Sequence, residues 1–135
     1  MTDTFKLQTA DRGIVTVRLS GADTPETGQA YWRNARGALG SLVKGQQTTV
    51  SCYKNDRHER NVCHVMVGTT DAELEMIRQG LAWYAFQFAA ELTTAQQIAY
   101  QRAEDDARHQ RIELWADPSH AALGMPKAQA CQQKM

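Results

Sequence analysis

The sequence predicts an α+β fold, mainly β: a small five-stranded Greek-key barrel of the OB type with about three helices packed against it. Short runs of apolar residues alternate with period two, and between and after them the spacing turns helical. The resulting order is strands, helix, strands, helix, helix, which suits a barrel with helices on its outside. At 135 residues, 42% of them hydrophobic and 22% charged, the chain has the composition of one globular domain with a modest core.

Phe5 to Gln8 and Gly13 to Leu19 read as the first two strands, joined by a turn over 9–13. In the second, Val15, Val17 and Leu19 share one face, while Ile14, Thr16 and Arg18 share the other. Arg18 therefore leaves the strand on the side away from the core row. Next comes Ala22-Asp23-Thr24-Pro25-Glu26, where Pro25 presets its backbone angle and makes a rigid turn. From Gln29 to Val43 the spacing of Tyr31, Ala35, Ala38, Leu39 and Leu42 is helical, and Lys44-Gly45 ends the helix.

Thr48 to Tyr53 and Asn61 to Val67 are the next strands, joined by a charged loop that carries Asp56, Arg57 and Arg60. Thr70-x-x-Glu73 has the form of a capping box opening a short helix that stops at Gly80. Thr94-x-x-Gln97 repeats that form and opens a last helix through Ala99, Ala103 and Ala107 towards Trp115. Residues 1–117 thus make one domain. Beyond Asp117 the prolines at 118 and 126, Gly124 and a polar end show no periodicity, so 118–135 reads as a loosely held tail.

Net charge is zero, but residues 1–65 carry nine Lys/Arg against six Asp/Glu and residues 66–135 carry six against nine. The half with the candidate site is the basic one, which suits a phosphate ligand. Cys52 and Cys63 could face each other across a hairpin, as a bridge or as two small buried thiols; both readings stay open. Cys131 lies in the tail and reads as free. No paired Cys-x-x-Cys or His-x3-His set completes a zinc site. No apolar run reaches the length of a membrane span, and the amino terminus lacks a charged-then-apolar signal segment, which could have been removed before Met1.

The chemistry sits in Arg18, Asp23, Thr24 and Glu26, with Arg60 on the later loop. Cleaving a phosphodiester needs charge neutralisation, a positioned water and donors for the charge that builds on phosphoryl oxygens. Asp3, Asp23 and the Thr24 carbonyl are hard oxygen donors that fit calcium. Glu26 could hold or deprotonate water, and Arg18 and Arg60 each offer a planar fork to phosphate. Alone, an Asp-Thr-Pro-Glu string is most often a turn, and a strand Arg beside an Asp is most often an ion pair. Asp56 reads as the turn-former of the loop that carries Arg60.

In combination these strings resemble the staphylococcal nuclease (thermonuclease) family. Arg18 with Asp23-Thr24-Pro25-Glu26 matches its Arg-x4-Asp-Thr-Pro-Glu signature, and Asp56 with Arg60 matches its Asp-x-Tyr-Gly-Arg hairpin. Arg78-Gln79-Gly80-Leu81-Ala82 and Leu114-Trp115 match two further segments in the same order. Asp3-Thr4-x-Lys6-Leu7 looks like the family's Asp-Thr-x-Lys-Leu, so the family's first barrel strand has no counterpart ahead of it.

The resemblance implies the catalytic roles of Arg18, Glu26 and Arg60, and calcium held by Asp3, Asp23 and Thr24. It also implies DNA and RNA as substrates, single strands preferred, with cleavage on the 5′-oxygen side to leave 3′-phosphates. Phe86 and Phe88 fall where the family has base-stacking tyrosines, and as phenylalanines they serve equally well as core. Arg57 and His58 replace a Lys-Tyr pair at the nucleotide, and Glu59 replaces a glycine. The chain is expected to act as a monomer without a membrane, in a secreted or periplasmic setting or otherwise in the cytoplasm. The alternative is an OB-type nucleic-acid or protein-binding module without catalysis. His64, His109 and His120 read as ordinary barrel, surface and tail residues.

Overall fold

The computed structural model describes residues 4–9, 13–55 and 60–116. Asp3, the loop residues 56–59 with Arg57 and His58, and the tail with His120 and Cys131 lie outside the described residues. Among the described residues, seven strands, three α-helices and two short 3₁₀ segments follow in the order β1 (Thr4–Thr9), β2 (Gly13–Leu19), β3 (Ala22–Asp23), α1 (Trp32–Val43), β4 (Thr48–Asn55), β5 (Asn61–Val67), β6 (Thr70–Asp71), α2 (Ala72–Arg78), β7 (Trp83–Tyr84), a 3₁₀ segment at Phe86–Glu91, α3 (Thr94–Gln110) and a second at Glu113–Ala116.

β1 pairs with β2 antiparallel, β2 with β5 parallel, and β5 with β4 antiparallel; β6 also pairs with β5, making a five-stranded sheet. β3 and β7 form a separate two-stranded ribbon. The mixed fold with three helices is the one expected, although among the described residues the strand pairing does not close into a barrel. The alternation in β2 holds: Val17 and Leu19 are fully buried, and Val15 packs beside them with Leu7, Cys63 and Val65. Met76, Ile77, Leu39 and Tyr100 bring the three helices onto that face.

Helix α1 starts at Trp32, three residues later than its apolar spacing suggests. Tyr31 sits at φ 70°, in the left-handed region, and no right-handed helix continues through such a residue. The capping boxes are shifted as well. In α2 the cap is Asp71, whose carboxylate accepts from the Leu74 N–H at 3.1 Å. In α3 it is Thr93, with Gln96 reciprocating, so the box lies one residue ahead of Thr94-x-x-Gln97. Helix α3 ends at Gln110, short of Trp115, because Arg111 turns left-handed.

Freed from capping, Glu73 does something else. It is fully buried and accepts from the Ser20 N–H (2.9 Å), the Ser20 hydroxyl (2.8 Å) and the Gly21 N–H (2.9 Å), with the Tyr100 hydroxyl shared between it (3.2 Å) and Asp71 (2.6 Å). A side chain at Gly21 would collide with the Tyr100 ring at 2.5 Å, so only glycine lets this turn approach the carboxylate. Glu73 therefore fixes the end of β2 just ahead of Asp23. Glu73→Gln is expected to lower stability by about 1–3 kcal/mol, because the amide nitrogen cannot accept and leaves a buried donor of Ser20 or Gly21 unsatisfied. Urea unfolding of the two chains measures this; an unchanged midpoint would refute the anchoring role.

Gly80 is the second glycine the fold demands. It sits at φ +77°, and a Cβ there would meet the Ile112 carbonyl oxygen at 2.7 Å. Its own carbonyl accepts from Leu114 N–H at 3.0 Å, which docks Leu114 and Trp115 on Trp83 and Ala107. Two of the four sequence strings thus meet as one packing unit.

Cys52 and Cys63 stand opposite each other on β4 and β5 and form a disulfide, which settles the open choice in favour of the bridge. The register slips by one residue between Cys52 and Lys54, so Tyr53 is a bulge.

Candidate active site at the end of the second strand

Arg18 is 7% exposed although it lies opposite the core face. A guanidinium is removed from water only where partners replace it. Its Nη2 lies 3.5 Å from Asp23 Oδ1, and its Cζ lies 4.4 Å above the centre of the Phe88 ring. Arg18 and Asp23 meet because the Ser20–Gly21 turn reverses the chain. The ribbon then fixes Asp23, which pairs with Trp83 while Ala22 pairs with Tyr84. The Ala85 N–H donates to the Gly21 carbonyl at 2.9 Å and continues that seam.

The turn itself behaves as its composition predicts. Thr24 and Pro25 are buried and Glu26 is exposed. The Glu26 N–H donates to the Gln29 side-chain oxygen at 2.7 Å, and the Glu26 carbonyl accepts the Gln29 N–H at 2.9 Å. Arg60 is half-buried directly ahead of β5. Val62 pairs with Arg18 across the sheet, so strand alternation puts position 60 on the Arg18 side. Of the expected nucleotide contacts, Phe86 is 49% exposed and meets Tyr84 edge-on, whereas Phe88 lies on Arg18.

Gln87, Tyr53 and Glu91 enter the site without any signal in the sequence. The Gln87 amide donates to Asp23 Oδ2 at 3.0 Å. Tyr53 reaches Ser20 from the β4 bulge; partial burial raises its pKa, against the pull of the Ser20 bond and of Arg18. Glu91 forms an ion pair with Lys54 of β4. Their partners are far apart along the chain, so no local pattern announces them.

His64, Asp71 and Glu73 each bring one possible ligand atom within 4.8 Å of the others, so by spacing they could hold a metal ion. Glu73 argues against it. The Ser20 N–H, the Ser20 hydroxyl and the Gly21 N–H already occupy both of its oxygens, and the single proton of the Tyr100 hydroxyl lies between Glu73 and the nearer Asp71 at 2.6 Å. The group is better described as a hydrogen-bonded anchor, and His64 is part of it rather than an ordinary barrel residue. The bond to Glu73 raises the His64 pKa, burial opposes it, and the charges of Asp71 and Glu73 add to the rise. Asp23 fits a hard cation better: its carboxylate is 21% exposed and stands at the head of a rigid turn.

Residues 16–117 match the family described as staphylococcal nuclease homologue. The chain is 33% identical over 118 residues to a micrococcal nuclease of Shigella flexneri, which covers 81% of this chain and 66% of that protein. It is 30% identical over 115 residues to a protein of Haemophilus influenzae named an uncharacterized endonuclease, covering 85% and 61%. A staphylococcal-like nuclease of Arabidopsis thaliana is 33% identical over 102 residues, covering 74% and 29%. The chain thus spans two thirds or less of the length of these curated relatives. Among the described residues no helix is long and apolar enough to cross a membrane.

Proposed function

The chain belongs to the staphylococcal nuclease homologue family, and we propose that it is a calcium-dependent nuclease hydrolysing phosphodiester bonds of DNA and RNA with little sequence preference. The observation that carries this reading is the meeting of Arg18 and Asp23, 3.5 Å apart, at the head of the Thr24-Pro25-Glu26 turn. A guanidinium, a hard carboxylate and a further exposed carboxylate at one strand end are the parts that phosphodiester hydrolysis uses.

Asp23, the Thr24 carbonyl and Asp3 would hold calcium, which when bound polarises the phosphate and orients water. Glu26 accepts a proton from the attacking water, and its exposure leaves it open to solvent and substrate. Arg18 and Arg60 donate paired N–H bonds to the phosphoryl oxygens as charge builds there. The ion pair with Asp23 and the Phe88 ring hold the Arg18 fork in one plane before substrate arrives. Phe86, exposed beside the site, offers a stacking face for an unpaired base, and Arg57 and His58 would flank the nucleotide. Stacking of this kind favours single strands. The family likeness adds the 5′-oxygen side of cleavage, with 3′-phosphate products.

Purified protein is expected to cleave single-stranded DNA with added calcium and to stop when a chelator removes it. Undiminished cleavage in chelator would remove the metal from the reading. Nucleic-acid binding without cleavage at any calcium concentration would support the binding-module alternative.

A further inference from the structure

We propose that Gln87 is a positioning residue for Asp23, holding the carboxylate in the orientation in which it takes calcium; this rests on the metal assignment above. The Gln87 amide nitrogen donates to Asp23 Oδ2 at 3.0 Å, while Arg18 Nη2 faces Oδ1 at 3.5 Å. A hydrogen bond on one oxygen and a guanidinium facing the other orient the carboxylate plane. Each oxygen has two lone pairs, so the amide bond leaves acceptor capacity on Oδ2 for a cation. A neutral amide does this without adding a charge that would repel the ion.

The geometry holds because the segment that carries Gln87 is itself tied down on three sides. Phe88 lies against the Arg18 guanidinium at 4.4 Å. Glu91 forms an ion pair with Lys54 of β4. The Gln97 side chain of α3 donates to the carbonyls of Ala89 (2.7 Å) and Leu92 (3.2 Å). Gln87 is exposed, on a short 3₁₀ stretch between these anchors, and its hydrogen bond spans 64 positions of sequence. An exposed glutamine has no packing reason to point at an acidic residue; a donor needed at the metal ligand explains its direction. Outer-shell partners of metal ligands act in this way, and their loss typically costs about 10–100-fold in metal affinity.

The test titrates calcium alone, by calorimetry, into the full chain and into Gln87→Met, which keeps the side-chain length and removes the donor. The variant is expected to bind calcium about 10–100-fold more weakly, with an unchanged unfolding midpoint in calcium-free buffer. Its cleavage of single-stranded DNA is expected to fall at limiting calcium and to recover as calcium is raised. Wild-type affinity in Gln87→Met overturns the positioning role alone. Weaker binding with a lowered calcium-free midpoint also overturns it, by assigning Gln87 to the fold. A wild-type chain that takes no calcium overturns both this inference and the metal assignment beneath it.

Discussion

Glu26→Gln is expected to lower turnover on single-stranded DNA by about 10²–10⁴-fold, the usual loss when a general base is removed. Substrate affinity should stay close to that of the wild type. Glutamine keeps the shape of glutamate and its hydrogen-bonding reach, but it cannot accept the proton of an attacking water. Glu26 is exposed, and the turn is held by its backbone bonds to Gln29, which the substitution leaves in place. Stability should therefore change little, and a lost rate would report chemistry. Single-turnover cleavage and equilibrium binding measured side by side separate the two effects. A variant within a factor of about two of wild type, far short of that loss, would make Glu26 a turn residue only.

Arg18 and the Asp23–Glu26 turn were legible in the sequence because two short-range rules apply to them. Period-two alternation puts Arg18 opposite Val17 and Leu19, and proline makes the turn rigid. The Cys52–Cys63 alignment was legible as a facing pair for the same reason, since both lie on alternating strands around a turn. Whether the pair bridged depended on the register slip at Tyr53, which no pattern announces.

Glu73 shows where local rules mislead. Thr70-x-x-Glu73 satisfies the capping-box pattern, yet Asp71 caps the helix and Glu73 bonds to Ser20 and Gly21, more than fifty positions earlier. Gln87 is hidden in the same manner behind its distance from Asp23. Glu104 is a third case: 2% exposed, it accepts the Tyr84 N–H at 2.6 Å and so fixes the ribbon strand opposite Ala22. Burial raises its pKa, and the Tyr84 bond offsets part of the rise. Buried carboxylates that anchor a turn carry no periodic signature, because their partners are backbone groups that every residue has.

Arg18→Lys and Arg60→Lys test whether the basic groups act on the transition state or merely attract a polyanion. If each guanidinium stabilises developing phosphoryl charge, lysine should cost about 10²–10³ in rate, because it keeps the charge and loses the planar fork. If they are generic phosphate contacts, lysine should substitute well, and the remaining loss should appear as weaker, more salt-sensitive binding. The two positions differ in risk. Arg18 is 7% exposed and stacked on Phe88, so lysine there also removes a packing contact, and its unfolding midpoint must be measured beside its rate. Arg60 is half-buried and ahead of its strand, so its substitution disturbs the fold less. A severe loss of rate in Arg60→Lys, with a wild-type midpoint, would tie the effect to the guanidinium fork. Wild-type rates in both folded variants would remove the arginines from catalysis and favour a module that binds nucleic acid without cutting it. Should Arg18→Lys fail to fold, Arg60→Lys alone decides, since the same fork argument applies to it without the stacking contact.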